Sequence, residues 1–128
     1  METIKENIML SILDAYPYEI VFVDLDHIVR YMNKTAKRHY GDRVKIGASL
    51  FNCHNENARS KIEAFLERAK AGEDEMYENY SSVKGEREFF VPVRNEAGEV
   101  IGYFERHEVY WKEDDPREPV GDYWKRRR

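Results

Sequence analysis

Cys53 and His54 are neighbours in the middle of this sequence, and their side chains are the ones best suited to chemistry. The chain has one cysteine in total, and a helical pattern begins just after the pair. A thiol ahead of a helix experiences the positive end of the helix dipole, which favours the reactive thiolate. The pair is therefore a candidate redox or ligand site. A structural role, with the cysteine packed as a small apolar residue, is the alternative.

Spacing argues against two other kinds of site. A structural zinc site needs about four ligands, and His27, His39 and His107 have no metal-ligand spacing to the pair. A Cys–His hydrolase needs the base close to the thiol, whereas neighbours on an extended chain point to opposite sides. The sequence also contains no P-loop, dinucleotide fingerprint or nucleophile elbow. We expect no enzyme, and we expect His27 and His39 at the surface.

The last predicted strand offers a second set of polar side chains. Tyr103, Glu105 and His107 alternate along it and must share one face, while Phe104 and Arg106 share the other. If the first face lines a pocket, Glu105 and His107 are recognition groups; if the second does, Arg106 could bind an anionic ligand. The sequence leaves this choice open.

Composition places these residues in one soluble domain. The chain has 128 residues, 41% hydrophobic and 36% charged, which is enough apolar content for a packed core. Its 21 basic and 25 acidic residues give a net charge of -4, so we expect no nucleic-acid partner. No apolar run reaches the roughly 18 residues of a membrane span, and the N-terminus lacks a signal-peptide pattern. We therefore expect a cytoplasmic protein without membrane contact.

Three helices are predicted to support the candidate site. Residues 1–15 form an amphipathic helix with Ile4, Ile8 and Ile12 on one stripe. Asn33 is placed to cap a second helix over residues 34–40. The third begins after Asn52 or Asn55 and ends at Gly72.

Five strands are predicted around these helices. Tight turns separate the last three, and parallel neighbours would need longer crossovers, so the sheet should be antiparallel. The fold class is therefore α+β. The predicted strands cover residues 19–24, 28–32, 76–83, 87–94 and 100–110.

Two stretches carry a resemblance to a known family. VDLDHIVRYMN, from Val23 to Asn33, resembles the opening hairpin of a PAS domain, and VPVRNEAGEVIG, from Val91 to Gly102, resembles its last hairpin. The resemblance covers about Tyr16 to Tyr110. It implies a sensory module with a five-stranded antiparallel sheet, helices on one face and a small-molecule pocket between them. PAS domains commonly dimerise through a helix before the first strand, which gives the N-terminal helix a candidate role.

A narrower resemblance concerns the cysteine itself. Asn52-Cys53-His54 is similar to the Asn-Cys-His-Pro-Pro-Lys stretch of bacterial PAS modules found alongside hemerythrin-like domains, although Asn55-Glu56-Asn57 replaces Pro-Pro-Lys here. Haem-binding PAS sensors use an axial histidine from the following helix. His54 lies a turn or two before that position, yet a haem held by His54 or Cys53 stays the alternative.

The resulting prediction is a stand-alone PAS sensor that binds a small molecule, dimerises and signals through a separate protein. The cofactor is left unknown. The domain organisation is an N-terminal helix at 1–15, the PAS-like domain at 16–111 and a tail at 112–128. The predicted dimer contact consists of Ile4, Ile8 and Ile12. The predicted ligand-binding residues are Phe51, Cys53, His54, Tyr31, Met32, Phe65, Tyr80, Phe89, Tyr103 and Arg106.

Overall fold

The computed structural model describes the backbone of residues 4–52, 55–81 and 86–109. The predicted tail at 112–128 lies outside these ranges. Within them the chain forms helices and strands in this order: α1 (Ile4–Ala15), β1 (Val21–Asp24), β2 (Val29–Met32), α2 (Lys34–Tyr40), a short 3-10 helix (Leu50–Asn52), α3 (Glu56–Lys70), β3 (Met76–Ser81), β4 (Glu86–Arg94) and β5 (Val100–Val109).

The strands form one antiparallel sheet in the order β2-β1-β5-β4-β3. The predicted α+β class with an antiparallel sheet is confirmed. β5 lies between β1 and β4, so the last strand in the chain occupies the centre of the sheet. Tyr103 on β5 pairs with Val23 on one side and Pro92 on the other. This central position places the alternating side chains of β5 at the middle of both sheet faces.

The core lies between one face of the sheet and α3. Phe65 on α3 is 1% exposed, and its ring centroid lies 5.2 Å from that of Phe90 and 6.0 Å from that of Tyr103. Ile62 and Ala69 lie on the same buried helix face. Each large apolar side chain buried there contributes about 1.5–3 kcal/mol relative to its exposed state. We call this side of the sheet the inner face.

Asparagine caps begin both internal helices, as the sequence predicts. Asn33 Oδ1 accepts from the Ala36 amide at the start of α2, and Asn55 Oδ1 accepts from the Ala58 amide at the start of α3. Asn55 therefore caps α3, which settles the choice between Asn52 and Asn55. α3 is followed by Gly72 with φ 108°, a left-handed conformation that glycine adopts readily.

α1 differs from the other helices because none of its residues is buried. Ile4, Ile8 and Ile12 are 80%, 54% and 63% exposed, respectively. Its C-terminal end is attached to the domain through Asp14 Oδ1, which accepts from the Lys34 amide, and through the Leu13 carbonyl, which accepts from Asn33. Among the described helices, none combines the length and apolarity that crossing a bilayer would require.

Candidate functional site

A cavity of about 80 Å³ lies between the inner face of the sheet and the helices. Its walls come from β1, β4, β5, α2, α3 and the loop segments around them, so no single element builds it. The lining residues are Glu19, Val21, Val23, Tyr40, Val44, Leu50, Ile62, Phe90, Tyr103, Phe104, Glu105 and His107.

Strand alternation decides which side of β5 lines the cavity. Tyr103, Glu105 and His107 all line it, and Phe104 also contributes to the lining, whereas Arg106 does not and lies against Phe89. The question that the sequence leaves open is answered by the core, because β5 must turn the face with Tyr103 toward α3 to bury that ring. Glu105 and His107 then follow on the same side.

Tyr103 also joins the cavity to the first hairpin. Its hydroxyl lies 2.9 Å from His27 Nδ1, and the His27 ring centroid lies 4.5 Å from that of Phe51. Burial, followed by the charge of Arg59, lowers the pKa of His27 below its usual value. His27 is half-buried, so the expectation that it lies at the surface holds only in part. The turn places His27 at φ 64°, and its ring contacts Tyr103 on β5.

The other end of the cavity is polar and acidic. His107 is 10% exposed at its side chain, with Nε2 3.8 Å from Glu19 Oε2 and Nδ1 3.9 Å from Glu88 Oε1. Burial first, then the charges of Glu105, Glu19 and Glu88, raise the pKa of Tyr40 well above its usual value. Glu19 and Glu88 therefore lie near the His107 imidazole, and the charges of Glu105, Glu19 and Glu88 act on the Tyr40 hydroxyl, where the charge of Arg43 opposes them.

Three of the predicted ligand-binding residues belong to the core beside the cavity. Phe65 and Met32 are 1% and 3% exposed, and Phe65 contacts Tyr103 across the core. Phe51 packs against the same cluster, and the Arg59 guanidinium lies 4.6 Å from the centroid of the Phe51 ring. These three support the walls, while Tyr103 itself lines the cavity.

Three others do not join this group, which corrects their predicted placement. Arg106 binds Glu75 with two hydrogen bonds of 2.8 Å, and its guanidinium lies 4.0 Å from the ring centroid of Phe89. Phe89 and Arg106 are paired in register, so both belong to the face opposite Phe90. Tyr31 instead donates its hydroxyl to Asp14 at the end of α1. Aromatic type alone could not separate the two faces.

Some predicted residues lie where the structure gives no description. Cys53 and His54 fall outside the described backbone, and the side chain of Tyr80 is likewise not described. Among the described residues, no group of three or more His, Cys, Asp or Glu side chains is arranged to hold a metal ion.

Glu19 and Tyr40 are the cavity residues with polar groups that the sequence did not single out. Glu19 precedes β1 and Tyr40 is the last residue of α2, positions that carry no motif. Their convergence with Glu105 and His107 arises from pairing between strands that are about 80 residues apart in the chain. No signal in the sequence identifies them together.

Comparisons with known proteins agree with this fold. A family model described as PAS domain matches residues 9–105. Among solved structures, a C-terminal domain from Streptococcus mutans has a TM-score of 0.65 and 22% identity, covering 84% of this chain and 85% of that one. The PAS domain of BvgS from Bordetella pertussis gives 0.60 and 16%, over 86% and 89% of the two chains. A PAS domain from Colwellia psychrerythraea gives 0.59 and 16%, over 81% and 95%. No curated protein matches this chain.

Proposed function

The chain belongs to the PAS domain family, whose members are typically sensory and non-enzymatic, and from this premise we propose that it binds a small molecule in the cavity and signals as a dimer to a separate protein. The observation that carries this proposal is the cavity between the inner face of the sheet and α2 and α3. Its walls combine apolar side chains with a few convergent polar groups, which is the usual composition of a ligand site.

The size of the cavity limits the ligand. Its 80 Å³ is smaller than the 300–1,000 Å³ typical of drug-sized ligands. One water needs roughly 10–15 Å³ measured in the same way, so the cavity has room for about five to eight waters. A ligand of comparable size has only a handful of non-hydrogen atoms.

Filling the cavity tests ligand binding. Val44 lines it from the loop after α2, and Ile46, two residues later, is 53% exposed. Val44→Phe should remove the amide chemical-shift changes that small molecules cause at Val21, Val23 and Tyr103 in NMR spectra. Ile46→Phe should leave those changes intact. Equal responses in the two variants would contradict binding in this cavity.

The exposed stripe of α1 supports a dimer formed with a second copy of this chain. Ile4, Ile8 and Ile12 are spaced by four residues, and Asn7 and Ser11 beside them carry no charge. A helix face of this kind is self-complementary, because apolar residues repeating at this spacing can interlock across a two-fold axis.

Sedimentation of matched variants tests the dimer. Ile8→Asp should shift the chain toward monomer, since it places a charge in an apolar contact. Ile46→Asp is the control, because Ile46 and Ile8 are similarly exposed, at 53% and 54%. A monomer–dimer equilibrium that is the same in both variants would argue against α1 as the interface.

The haem or redox role of Cys53 or His54 stays a prediction, since both residues lie outside the described backbone. Haem titration of the chain and of the Cys53→Ala, His54→Ala double variant tests it. A Soret band that persists in the double variant would remove these residues from the assignment.

A further inference from the structure

The charges around the cavity carry information about the ligand beyond its size. Glu19 and Glu105 line the cavity, and Glu88 approaches the same His107 imidazole as Glu19. The side chains of Glu19 and Glu88 are only 19% and 17% exposed, so solvent screens these carboxylates weakly.

Nearby bases do not balance these acids. His107 is the only basic side chain among the described residues that line the cavity. The lining therefore holds two carboxylates, Glu19 and Glu105, against one imidazole, and Glu88 approaches that imidazole from outside the lining. His39 Nδ1 lies 3.3 Å from Glu19 Oε1, but the His39 side chain is 47% exposed, so water screens this pair. The Arg43 guanidinium carbon lies 5.8 Å from the Tyr40 ring centroid, and its charge opposes the acids there. Arg43 also donates to the backbone carbonyls of His39 and Tyr40, and it does not line the cavity.

Crowded carboxylates repel each other and favour a cation between them. Burial and the charges of Glu105, Glu19 and Glu88 raise the pKa of Tyr40 at the edge of the cavity, and the charge of Arg43 only partly opposes them. A cation at that point would be stabilised by the negative potential of these carboxylates. The same potential would weaken the binding of an anionic ligand and would not strengthen the binding of a neutral one.

The apolar part of the cavity wall indicates what the uncharged part of the ligand is. Val21, Val23, Leu50, Ile62 and Phe90 offer apolar contact away from the acidic end. We propose that the cavity selects a small primary amine in its ammonium form, with a short alkyl body against the apolar wall and the charged nitrogen beside Glu19 and Glu105. This inference rests on the proposed function and names the ligand class of the same site.

An isosteric series separates charge from size. The probes are n-butylammonium, n-butanol and butyrate, which share a four-carbon body and differ in charge. They are titrated into the full chain at pH 7.5, and amide shifts at Val21, Val23 and Tyr103 are followed by NMR. Butylammonium should bind at least about tenfold more tightly than butanol, and butyrate should bind most weakly, because ammonium–carboxylate pairs in a poorly solvated site are strong.

Single carboxylate variants assign the effect to the site. Glu105→Gln should weaken butylammonium binding about fivefold or more, and Glu19→Gln provides a second, independent reading should the first variant misfold. Glu96→Gln is the matched control, because Glu96 lies exposed in the turn between β4 and β5. The three variants should bind butanol equally.

The outcomes distinguish this inference from the function it rests on. Butanol or butyrate binding at the cavity as tightly as butylammonium overturns the amine assignment and leaves a small-molecule site in place. No shift at these amides with any of the three probes also overturns it. The function itself fails only when the Val44→Phe and Ile46→Phe variants respond alike to the wider set of small molecules.

Discussion

Replacing Asn33 with alanine is expected to destabilise the domain more than any other single cap substitution in the described chain. Asn33 is 0% exposed and lies where α1, β1 and α2 meet. Its Oδ1 accepts from the amides of Ile20 and Ala36 at 3.0 and 2.9 Å. Its Nδ2 donates to the carbonyls of Leu13 and Tyr18 at 2.9 and 3.0 Å. The side-chain amide thus uses both donors and both acceptor sites.

The expected cost follows from these four hydrogen bonds. Loss of an N-cap costs about 1 kcal/mol, and each of the other three bonds contributes about 1 kcal/mol net. Asn33→Ala should therefore lower the free energy of unfolding by about 4 kcal/mol, a large fraction of the roughly 5–15 kcal/mol typical of a domain. Alanine also leaves four buried backbone groups without partners, so the cost should not fall much below this value.

Asn55→Ala is the matched control. Asn55 caps α3 through one hydrogen bond to the Ala58 amide, and it is exposed, so water can replace its side chain. Its loss should cost about 1 kcal/mol. Urea denaturation followed by circular dichroism at 222 nm gives both values. Asn33→Ala costing no more than Asn55→Ala would refute the account of Asn33 as a four-bond junction.

A third variant separates the two halves of the Asn33 amide. Asn33→Asp keeps the acceptors for Ile20 and Ala36 but sets oxygen against the carbonyls of Leu13 and Tyr18. It should retain the α2 cap while weakening the attachment of α1. Amide hydrogen exchange should therefore accelerate in α1 more than in α2. Equal acceleration in both helices would contradict this division.

Three further predictions concern other parts of the sheet. Gly102→Ala should cost about 1–3 kcal/mol, because its Cβ would clash with the Val23 carbonyl and lie 2.5 Å from the Phe22 ring; chemical denaturation measures this, and an unchanged midpoint would contradict it. Burial and Arg59 lower the pKa of His27, so the unfolded state binds more protons than the folded state from about pH 6.5 downward. The free energy of unfolding should therefore decrease as the pH is lowered through that range. His27→Asn, which tolerates the left-handed turn, should reduce this pH dependence in melting curves, and an identical slope in both proteins would count against it. Arg106→Gln should cost about 1 kcal/mol or less and should leave cavity binding unchanged, because its partner Glu75 lies on the other face; loss of NMR-detected binding would restore Arg106 as a ligand residue.

The local elements follow from local residues. Asn33 and Asn55 cap their helices because a side-chain oxygen before a helical pattern satisfies amides within three residues. The apolar stripe of α3 was also predictable from local residues, because its spacing matches the helical repeat. Strand positions were predictable to within about two residues at their ends, apart from the C-terminal ends of β3 and β5, whose predicted ranges extend outside the described residues.

The candidate site was less predictable than the elements that hold it. Tyr103 was identified, but Tyr31, Phe89 and Arg106 were placed with it although they belong elsewhere. Aromatic residues fill both faces of this sheet, so composition cannot assign a face. The left-handed backbone conformation of His27 was also not predictable, because a positive φ at a residue other than glycine has no clear sequence signal.

The sequence by itself determined the helices, the strands, the antiparallel connections and the alternation that groups Tyr103, Glu105 and His107. Only the tertiary structure decided that this group faces a cavity, because the inner face is whichever side α3 covers. It also decided that Glu19, Glu88 and Glu105 gather there. Glu88 and Glu105 lie on the consecutive strands β4 and β5, whereas Glu19 is distant from both in sequence, and the pairing of β5 with β1 brings its charge to theirs.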